Sequence, residues 1–266
     1  MYPLRYLPTG HIFISPGDDC DKVVDAMLDT DYSEEFCLAR DFEEDFIRAL
    51  MEAGFLVMST ELKDDDETAA EEPPDYQSGD PSDNHPDDYP KDIYPKDRFF
   101  ILLPKLHLIR SVLFFPELHI KKRIRPLLSS YELRIDTDFN IILDKCLQKH
   151  GEAWLTPPLV EIIKNLRKNT TASCKGARPF SFALYRDGEL KAGEFGIVMG
   201  RVYTSYSGYY DEDNAGTVQM ILMVQWMEKN GFDFLDFGMP LDYKSDLGAQ
   251  NIDPRRYVEL FRKAKN

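Results

Sequence analysis

The sequence is poor in cysteine and contains no long apolar run. Its four cysteines are widely separated among 266 residues, without a Cys-x-x-Cys pair or a Cys/His cluster. This spacing indicates reduced thiols and neither a zinc site nor a disulfide framework. Apolar runs such as 99–103 are far shorter than the roughly 20 residues of a membrane-spanning helix. The first 19 residues also lack the apolar core of a secretory signal. We therefore expect a cytoplasmic protein with no membrane partner, no metal and no cofactor.

Basic residues are outnumbered, but not evenly along the chain. There are 47 Asp and Glu against 32 Lys and Arg, a net charge of −15. Such an excess normally argues against a nucleic-acid partner. Residues 61–97 hold 14 of the acids and only 3 bases, which leaves −4 for the remainder of the chain. The argument against nucleic acid therefore applies to one segment and not to the rest of the protein.

The same segment, 61–97, contains six prolines and few aliphatic residues. A chain of low hydrophobicity and high net charge cannot bury enough apolar surface to offset its conformational entropy. The composition predicts a disordered acidic insert, acting either as a solvated spacer or as an acidic docking or regulatory arm.

The first part of the chain predicts a domain over 1–150 that contains this insert. Asp41 and Glu44 form a capping-box pattern before a helix over 42–53, with Gly54 as the residue that ends it. The remaining pattern predicts extended segments over 55–58, 100–104, 111–115 and 131–135, and helices over 117–128 and 138–150.

The second part, 151–266, shows a clearer pattern of predicted helices and strands. Thr156 before two prolines predicts the start of a helix that ends near 169, and Asp187-Gly188 predicts a hairpin. Asp213 or Asn214 is a candidate N-cap for a long helix. Further strands are predicted over 179–186, 190–199, 202–207 and 232–237, and helices over 214–230 and 254–265. The order resembles an N-acetyltransferase-type (GNAT-type) domain, so we expect an α+β protein with a small N-terminal α/β domain and a GNAT-like C-terminal domain.

Short stretches in the same order along almost the whole chain, outside the insert, resemble the leucyl/phenylalanyl-tRNA–protein transferase family. The resemblance is carried by 41–55, 111–120, 151–161, 187–196, 214–215, 231–236, 247–249 and 253–257. It implies transfer of an amino acid from aminoacyl-tRNA to the N-terminal α-amino group of an acceptor protein, which marks that protein for degradation. It also implies an aminoacyl-transfer role for the GNAT-like domain, with aminoacyl-tRNA in place of acyl-CoA.

The segment before the long helix supports this distinction from acyl-CoA enzymes. It lacks an Arg/Gln-x-x-Gly-x-Gly/Ala run and instead contains three consecutive acids, Asp211, Glu212 and Asp213. A row of carboxylates disfavours a pyrophosphate, even at a helix N-terminus.

The resemblance implies a catalytic position at Asp236, which would orient the attacking amine or accept its proton. The alternative is a buried aspartate that holds neighbouring loop amides. Where the family has Asp-x-Gln, this chain has Asp236-Phe237-Gly238. A proton relay through a glutamine therefore does not carry over, and a backbone amide or a water at Gly238, or positioning alone, would have to replace it.

A second departure concerns the pocket for the transferred amino acid. The family's Gly-Glu-Ser-Met-Phe-Ser-Arg is replaced by residues 205–211. Leucine or phenylalanine needs an apolar pocket, whereas tyrosines beside carboxylates suit the guanidinium of arginine. Both amino-acid classes remain open, and the acids also suit the positive end of the following helix. The candidate substrate-binding residues are Trp154, Tyr206, Ser207, Tyr209, Tyr210, Asp211, Asp213 and Asn214.

Trp154 would stack on the terminal adenine of the tRNA, unless it is a core residue. A basic cluster near 121 would contact acceptor-stem phosphates, unless it is simply a solvated face. Its members are Arg110, Lys121, Lys122, Arg123 and Arg125. Two other functions compete with transfer: a catalytically silent relative that binds tRNA or N-termini, and an N-acyltransferase with a small acyl donor. We expect a monomer.

Overall fold

A computed structural model describes residues 2–30, 32–62, 98–170 and 176–265. The predicted acidic insert lies outside the described residues, except for its first two positions. Glu61 and Leu62 continue a strand, so the predicted start of the insert at 61 is wrong by two residues.

The N-terminal part is built mostly from short elements. In chain order they are β1 (Arg5–Tyr6), β2 (Ile12–Phe13), α1 (Cys20–Asp29), α2 (Glu44–Glu52), β3 (Leu56–Leu62), β4 (Phe99–Lys105), β5 (Arg110–Leu113), β6 (Glu132–Ile135) and α3 (Phe139–His150). β3 and β4 form an antiparallel pair on either side of the undescribed segment.

The C-terminal part contains the predicted helix, three strands, helix, strand and helix in that order, with two short elements before the last helix, a helix and a strand, that were not predicted. Its elements are α4 (Pro157–Asn169), β7 (Arg178–Arg186), β8 (Glu189–Met199), β9 (Val202–Tyr210), α5 (Ala215–Lys229), β10 (Phe234–Gly238), α6 (Asp242–Asp246), β11 (Gln250–Ile252) and α7 (Pro254–Lys265). The β7–β8 turn is the predicted hairpin, because Asp187 and Gly188 both have positive φ.

A seven-stranded sheet organises the protein, in the order β11-β5-β10-β9-β8-β7-β6. β7, β8 and β9 are antiparallel to one another, and β10 runs parallel to β9. The fold is thus mixed α and β around a large sheet, in agreement with the predicted α+β class.

The two faces of the sheet carry separate apolar cores. On β8, Phe195 and Ile197 belong to the core shared with α3, α4 and α7, whereas Ala192 and Val198 belong to the core under α5. This division follows from the alternation of side chains along a strand. Position 194, two residues from Ala192, is therefore expected on the α5 side.

The sheet also joins both predicted domains. β5 and β6 precede residue 150, yet they pair with β10, β11 and β7 from the second part. The division of the chain at residue 150 stays a prediction.

Three local predictions are wrong. No α-helix covers 117–128; this described stretch contains 3₁₀ turns at Phe115–Glu117 and Arg125–Ser130. α2 begins at Glu44 instead of 42, and its N-cap Glu43 makes no side-chain capping bond. The predicted strand over 111–115 ends at Leu113 because a 3₁₀ turn follows. By contrast, Gly54 ends α2 with a φ of 100°, as predicted.

Candidate functional site

The site lies where two parallel strands separate. β9 and β10 are paired only as far as Thr204 and Asp236, and β9 then continues to Tyr210 with β8 as its neighbour. A cavity of about 740 Å³ lies beside this separation. Its walls come from β3, β4, α3, β8, β9, α5, β10 and α6, together with the loops beside them. A space of this size accommodates an organic group such as an amino acid joined to a nucleoside.

A buried ion pair lies at the point where β9 and β10 separate. Arg110 on β5 donates to both carboxylate oxygens of Asp236 on β10, at 2.8 and 2.7 Å, and the side chains are 1% and 0% exposed. Thr204 Oγ1 donates to Asp236 at 2.9 Å. The Tyr257 hydroxyl lies 3.1 Å from both Arg110 and Asp236. Because the pair is bidentate and fully enclosed, it fixes β5, β9, β10 and α7 relative to one another.

The charge state of Asp236 follows from this arrangement. Burial by itself raises the pKa of a carboxyl group, but the charge and hydrogen bonds of Arg110, together with hydrogen bonds from Gly238 and Thr204, hold the pKa of Asp236 below its ordinary value. The Gly238 amide also donates to Asp236, at 2.9 Å. Asp236 is therefore an anion whose two oxygens are both engaged inside the protein.

The two positions predicted as catalytic thus lie behind the cavity wall. Asp236 and Gly238 are absent from its lining, in which Phe237 between them takes part. The geometry matches the alternative interpretation of Asp236, a buried aspartate that holds neighbouring groups in place. Gly238 has a φ of 70°, and a side chain there would meet Leu56 at 3.0 Å and His107 Nε2 at 3.6 Å. The Gly238 amide is already used by Asp236.

The predicted substrate-binding residues come together, with one exception. Trp154, Tyr206, Ser207, Tyr209, Tyr210, Asp213 and Asn214 all line the cavity. The ring centroids of Trp154 and Tyr206 are 6.3 Å apart, and the Tyr206 hydroxyl accepts from the Val57 amide at 3.1 Å. Asp211 is the exception: it is absent from the lining and pairs with Lys145 at 2.8 Å.

The acids at the start of α5 are largely neutralised. Besides the Asp211–Lys145 pair, Glu212 contacts Arg186 and the Tyr131 hydroxyl, each at 2.5 Å. Of the three consecutive acids, Asp213 alone reaches the cavity lining. The carboxylates that suggested a cation pocket are therefore mostly directed elsewhere.

Sequence reasoning missed two buried charged side chains in the cavity wall, Glu194 on β8 and Lys244 on α6. They are 4% and 5% exposed. The Lys244 ammonium donates to the carbonyls of Phe237 and Met239, at 2.7 and 2.8 Å. Glu194 Oε1 is buried and has no hydrogen-bond partner among the described residues. The signal for Glu194 was a lone acid inside a predicted apolar strand; for Lys244 no sequence signal existed.

Burial perturbs both groups. It raises the pKa of Glu194 to about 7, against the opposite effects of Ser205 and Lys244. It lowers the pKa of Lys244 to about 8, although Asp236 and Glu194 act the other way. Strongly perturbed titratable groups in a cleft are characteristic of functional sites.

His107 is a third missed residue of the wall. It is 4% exposed, and its Nδ1 lies 3.4 Å from a carboxylate oxygen of Glu35. Burial, with a contribution from Arg110, lowers the pKa of His107 to about 4, so the ring is neutral at pH 7.

The predicted basic cluster divides into two groups. Arg110 is buried in the ion pair, so its predicted contact with tRNA phosphates is wrong. Lys121, Lys122, Arg123 and Arg125 are exposed, and Lys121 pairs with Asp246 at 2.6 Å. Lys121 and Arg123 line a small second cavity of about 60 Å³. Tyr243 borders both cavities, which places this basic surface next to the main site.

In the part of the chain that the structure describes, no three His, Cys, Asp or Glu side chains are grouped so as to hold a metal ion. Every helix within the described ranges is too short or too polar to span a lipid bilayer.

Comparison with known proteins identifies the family. The leucyl/phenylalanyl-tRNA protein transferase model matches residues 112–262, more than half of the chain and most of the cavity wall. The chain belongs to the leucyl/phenylalanyl-tRNA–protein transferase family.

Two relatives of that name illustrate the distance within the family. The protein of Pseudomonas putida (strain W619) is 30% identical over 155 residues, which cover 56% of this chain and 66% of the relative. That of Maridesulfovibrio salexigens is 26% identical over 161 residues, covering 58% and 65%. The chain thus matches slightly less than two thirds of the length of these relatives.

Among solved structures, the chain is similar to FemX, with a TM-score of 0.44, 10% identity and coverage of 97% of this chain and 85% of FemX. It is also similar to L-PGS from Bacillus licheniformis, with a TM-score of 0.39, 10% identity and coverage of 59% and 65%.

Proposed function

We propose that this protein is an aminoacyl-tRNA–protein transferase, which moves an amino acid from aminoacyl-tRNA to the N-terminal α-amino group of an acceptor protein. The observation that carries the proposal is the family match over 112–262, which includes the separating strands and most of the cavity wall. In this proposal the strands from β7 onwards form a GNAT-like transfer domain, and the transferred residue marks the acceptor for degradation.

The proposed reaction is aminolysis of an ester. The acceptor nitrogen attacks the ester carbonyl, the C–N bond forms, and the ribose oxygen leaves with a proton that originates from the amine. The tRNA ester is already activated, so no covalent intermediate on the protein is needed. The protein contributes by holding both reactants together, keeping the amine neutral and stabilising the oxyanion.

The role proposed for each residue follows from its position in or behind the cavity wall. Trp154 would stack on the terminal adenine, and Tyr206 beside it would extend the aromatic surface. Ser207 lines the same wall and supplies a hydroxyl to the polar end of the substrate. Asp236 and Gly238 act in this proposal as positioning residues, because the Asp236–Arg110 pair holds β10 where the cavity opens.

Lys121, Lys122, Arg123 and Arg125 are proposed to contact acceptor-stem phosphates. Their exposure and their proximity to the cavity through Tyr243 support this role. Such contacts are electrostatic and tolerant of sequence. The Asp246 partner of Lys121 is itself exposed, so this surface pair is weak and readily exchanged for a phosphate.

The transferred amino acid is proposed to be leucine or phenylalanine, as in the names of the relatives, or arginine. The competing function is a silent relative that binds tRNA or N-termini without transfer. Gly238 favours it, because it supplies no side chain at that position. We expect a cytoplasmic monomer with an N-terminal domain over 1–150, a transfer domain over 151–266 and no cofactor.

A transfer assay tests the proposal. The purified chain is incubated with a labelled peptide and each aminoacyl-tRNA in turn, and addition of one residue to the peptide N-terminus is measured by mass. Transfer is expected, and an N-acetylated peptide is the matched control that must stay unmodified. Thermal stabilisation by aminoacyl-tRNA without transfer of any amino acid would instead establish the silent relative.

A further inference from the structure

Glu194 is an unusual group to find in a cavity wall. It is 96% buried on a central strand, and one of its carboxylate oxygens has no hydrogen-bond partner among the described residues. Buried carboxylates are normally paired or fully hydrogen-bonded, because an uncompensated one destabilises the folded state. An unsatisfied carboxylate oxygen at a cavity therefore indicates that its partner comes from a ligand.

The groups around Glu194 compensate its buried charge only in part, because burial outweighs their combined effect on its pKa. Lys244 directs its ammonium at two backbone carbonyls and forms no ion pair within 4 Å of Glu194 in the described structure. Ser205, Gln219 and Tyr203 are polar neighbours that favour the Glu194 anion, but burial outweighs them. The Gln219 amide also donates to Met223 Sδ at 3.5 Å. Of the two carboxylates in the described cavity wall, Glu194 is buried and Asp213 is exposed.

From this geometry we infer that Glu194 binds the cationic side chain of the amino acid that the tRNA delivers, so that the donor is charged with arginine or lysine. The inference rests on the proposed function and selects among its open substrates. In this inference Glu194, and not Asp211 or Glu212, binds the cation, because Asp211 already pairs with Lys145 and Glu212 with Arg186.

The alternative, an apolar amino acid, conflicts with the same geometry. A leucine or phenylalanine side chain placed against Glu194 would supply no hydrogen-bond donor to the carboxylate. Leaving a buried polar group unpaired costs about 1–3 kcal/mol, and more for a charge. A guanidinium or an ammonium instead supplies charge-assisted donors, and tyrosines in the same wall suit either cation.

The test uses stable substrate analogues in which each amino acid is joined by an amide to 3′-amino-3′-deoxyadenosine. Two pairs isolate the charge: arginine against neutral citrulline, and lysine against norleucine. Leucine and phenylalanine analogues complete the set. Affinities are measured by calorimetry for the full chain, for Glu194→Gln and for Glu228→Gln, an exposed control on α5.

We expect the wild-type chain to bind the arginine or the lysine analogue at least about tenfold more tightly than its neutral counterpart. Glu194→Gln should remove this preference, and Glu228→Gln should keep it. The better of the two cationic analogues then identifies guanidinium or ammonium as the preferred group.

Two different failures are distinguishable. Tightest binding of the leucine or phenylalanine analogue, or a cation preference that survives Glu194→Gln, would overturn the role of Glu194 and leave the transferase proposal standing. Binding of none of the analogues would count against the proposed function, and the inference would fall with it.

Discussion

Replacing Glu194 by glutamine should raise the free energy of unfolding of the ligand-free protein at pH 8. Glutamine has nearly the same shape but no charge, so the change removes the cost of burying an anion. The ordinary pKa of this carboxyl is 4.5, and burial raises it to about 7 in the folded chain. A difference of about 2.5 in pKa corresponds to about 3 kcal/mol.

The sign follows from proton binding. Between pH 4.5 and 7 the folded chain holds a proton on Glu194 that the unfolded chain has released, so stability falls as pH rises through this window. Above pH 7 the full cost is present. The gain from Glu194→Gln should therefore be up to about 3 kcal/mol at pH 8 and below about 1 kcal/mol at pH 5.

The titratable groups coupled to Glu194 do not change charge within this pH range. Each of its electrostatically coupled neighbours has a pKa of about 8 or above: Tyr203, Cys146, Tyr243 and Lys244. None of them changes charge between pH 5 and 7. Lys244 loses the attraction of Glu194 in the variant, so the predicted gain is an upper value.

The assay is urea unfolding followed by tryptophan fluorescence at pH 5 and pH 8. Glu228→Gln is the matched control and should shift stability by no more than about 0.5 kcal/mol at either pH, as exposed substitutions do. A Glu194→Gln variant that is no more stable than wild type at pH 8 would refute the reasoning, because the carboxylate would then be compensated within the fold.

Three further predictions concern the surroundings of the cavity. Arg110→Met leaves Asp236 buried without its cation and should lower the free energy of unfolding by roughly 3–5 kcal/mol, while adding Asp236→Leu should recover much of it in urea titrations. Buried His107 stays neutral from pH 6.5 to pH 4 while the unfolded chain takes a proton, so its contribution to wild-type stability should fall by up to about 3 kcal/mol over this range. Glu194 acts in the opposite direction in both chains, so the measured quantity is the stability difference between wild type and His107→Gln, which should change by that amount between the two pH values. Trp154→Ala should weaken binding of the adenosine analogues by roughly 1–3 kcal/mol in calorimetry, and Trp154→Phe should keep most of it.

Local sequence signals predicted the C-terminal part of the fold well. The hairpin at Asp187-Gly188, the helix after Thr156 and the end of α2 at Gly54 each depend on backbone preferences of one or two residues. The helix expected over 117–128 failed for a similar local reason. Pro116 and Pro126 favour short 3₁₀ turns at the two ends of that stretch, where a continuous helix was expected.

The site was only partly predictable. The cavity tyrosines follow one another in sequence, so the strand-to-helix segment identified them. The partner of Asp236 is Arg110, 126 positions away, and no local pattern reveals such a pair. The sequence-based interpretation placed Arg110 on the surface beside exposed bases. Glu194 was missed because burial, which gives it its significance, is a property of the assembled sheet.

The position of β5 has a consequence for how the chain is made. This strand lies between β10 and β11, and its Arg110 also contacts Tyr257. During synthesis, Arg110 is therefore added to the chain more than a hundred residues before β10, β11 and Tyr257. A nascent chain of 200 residues has neither β10 nor the aspartate that neutralises the arginine. The cavity can form only when synthesis is nearly complete, so a chain that stops before α7 should lack a properly formed cavity and be a target for proteolysis.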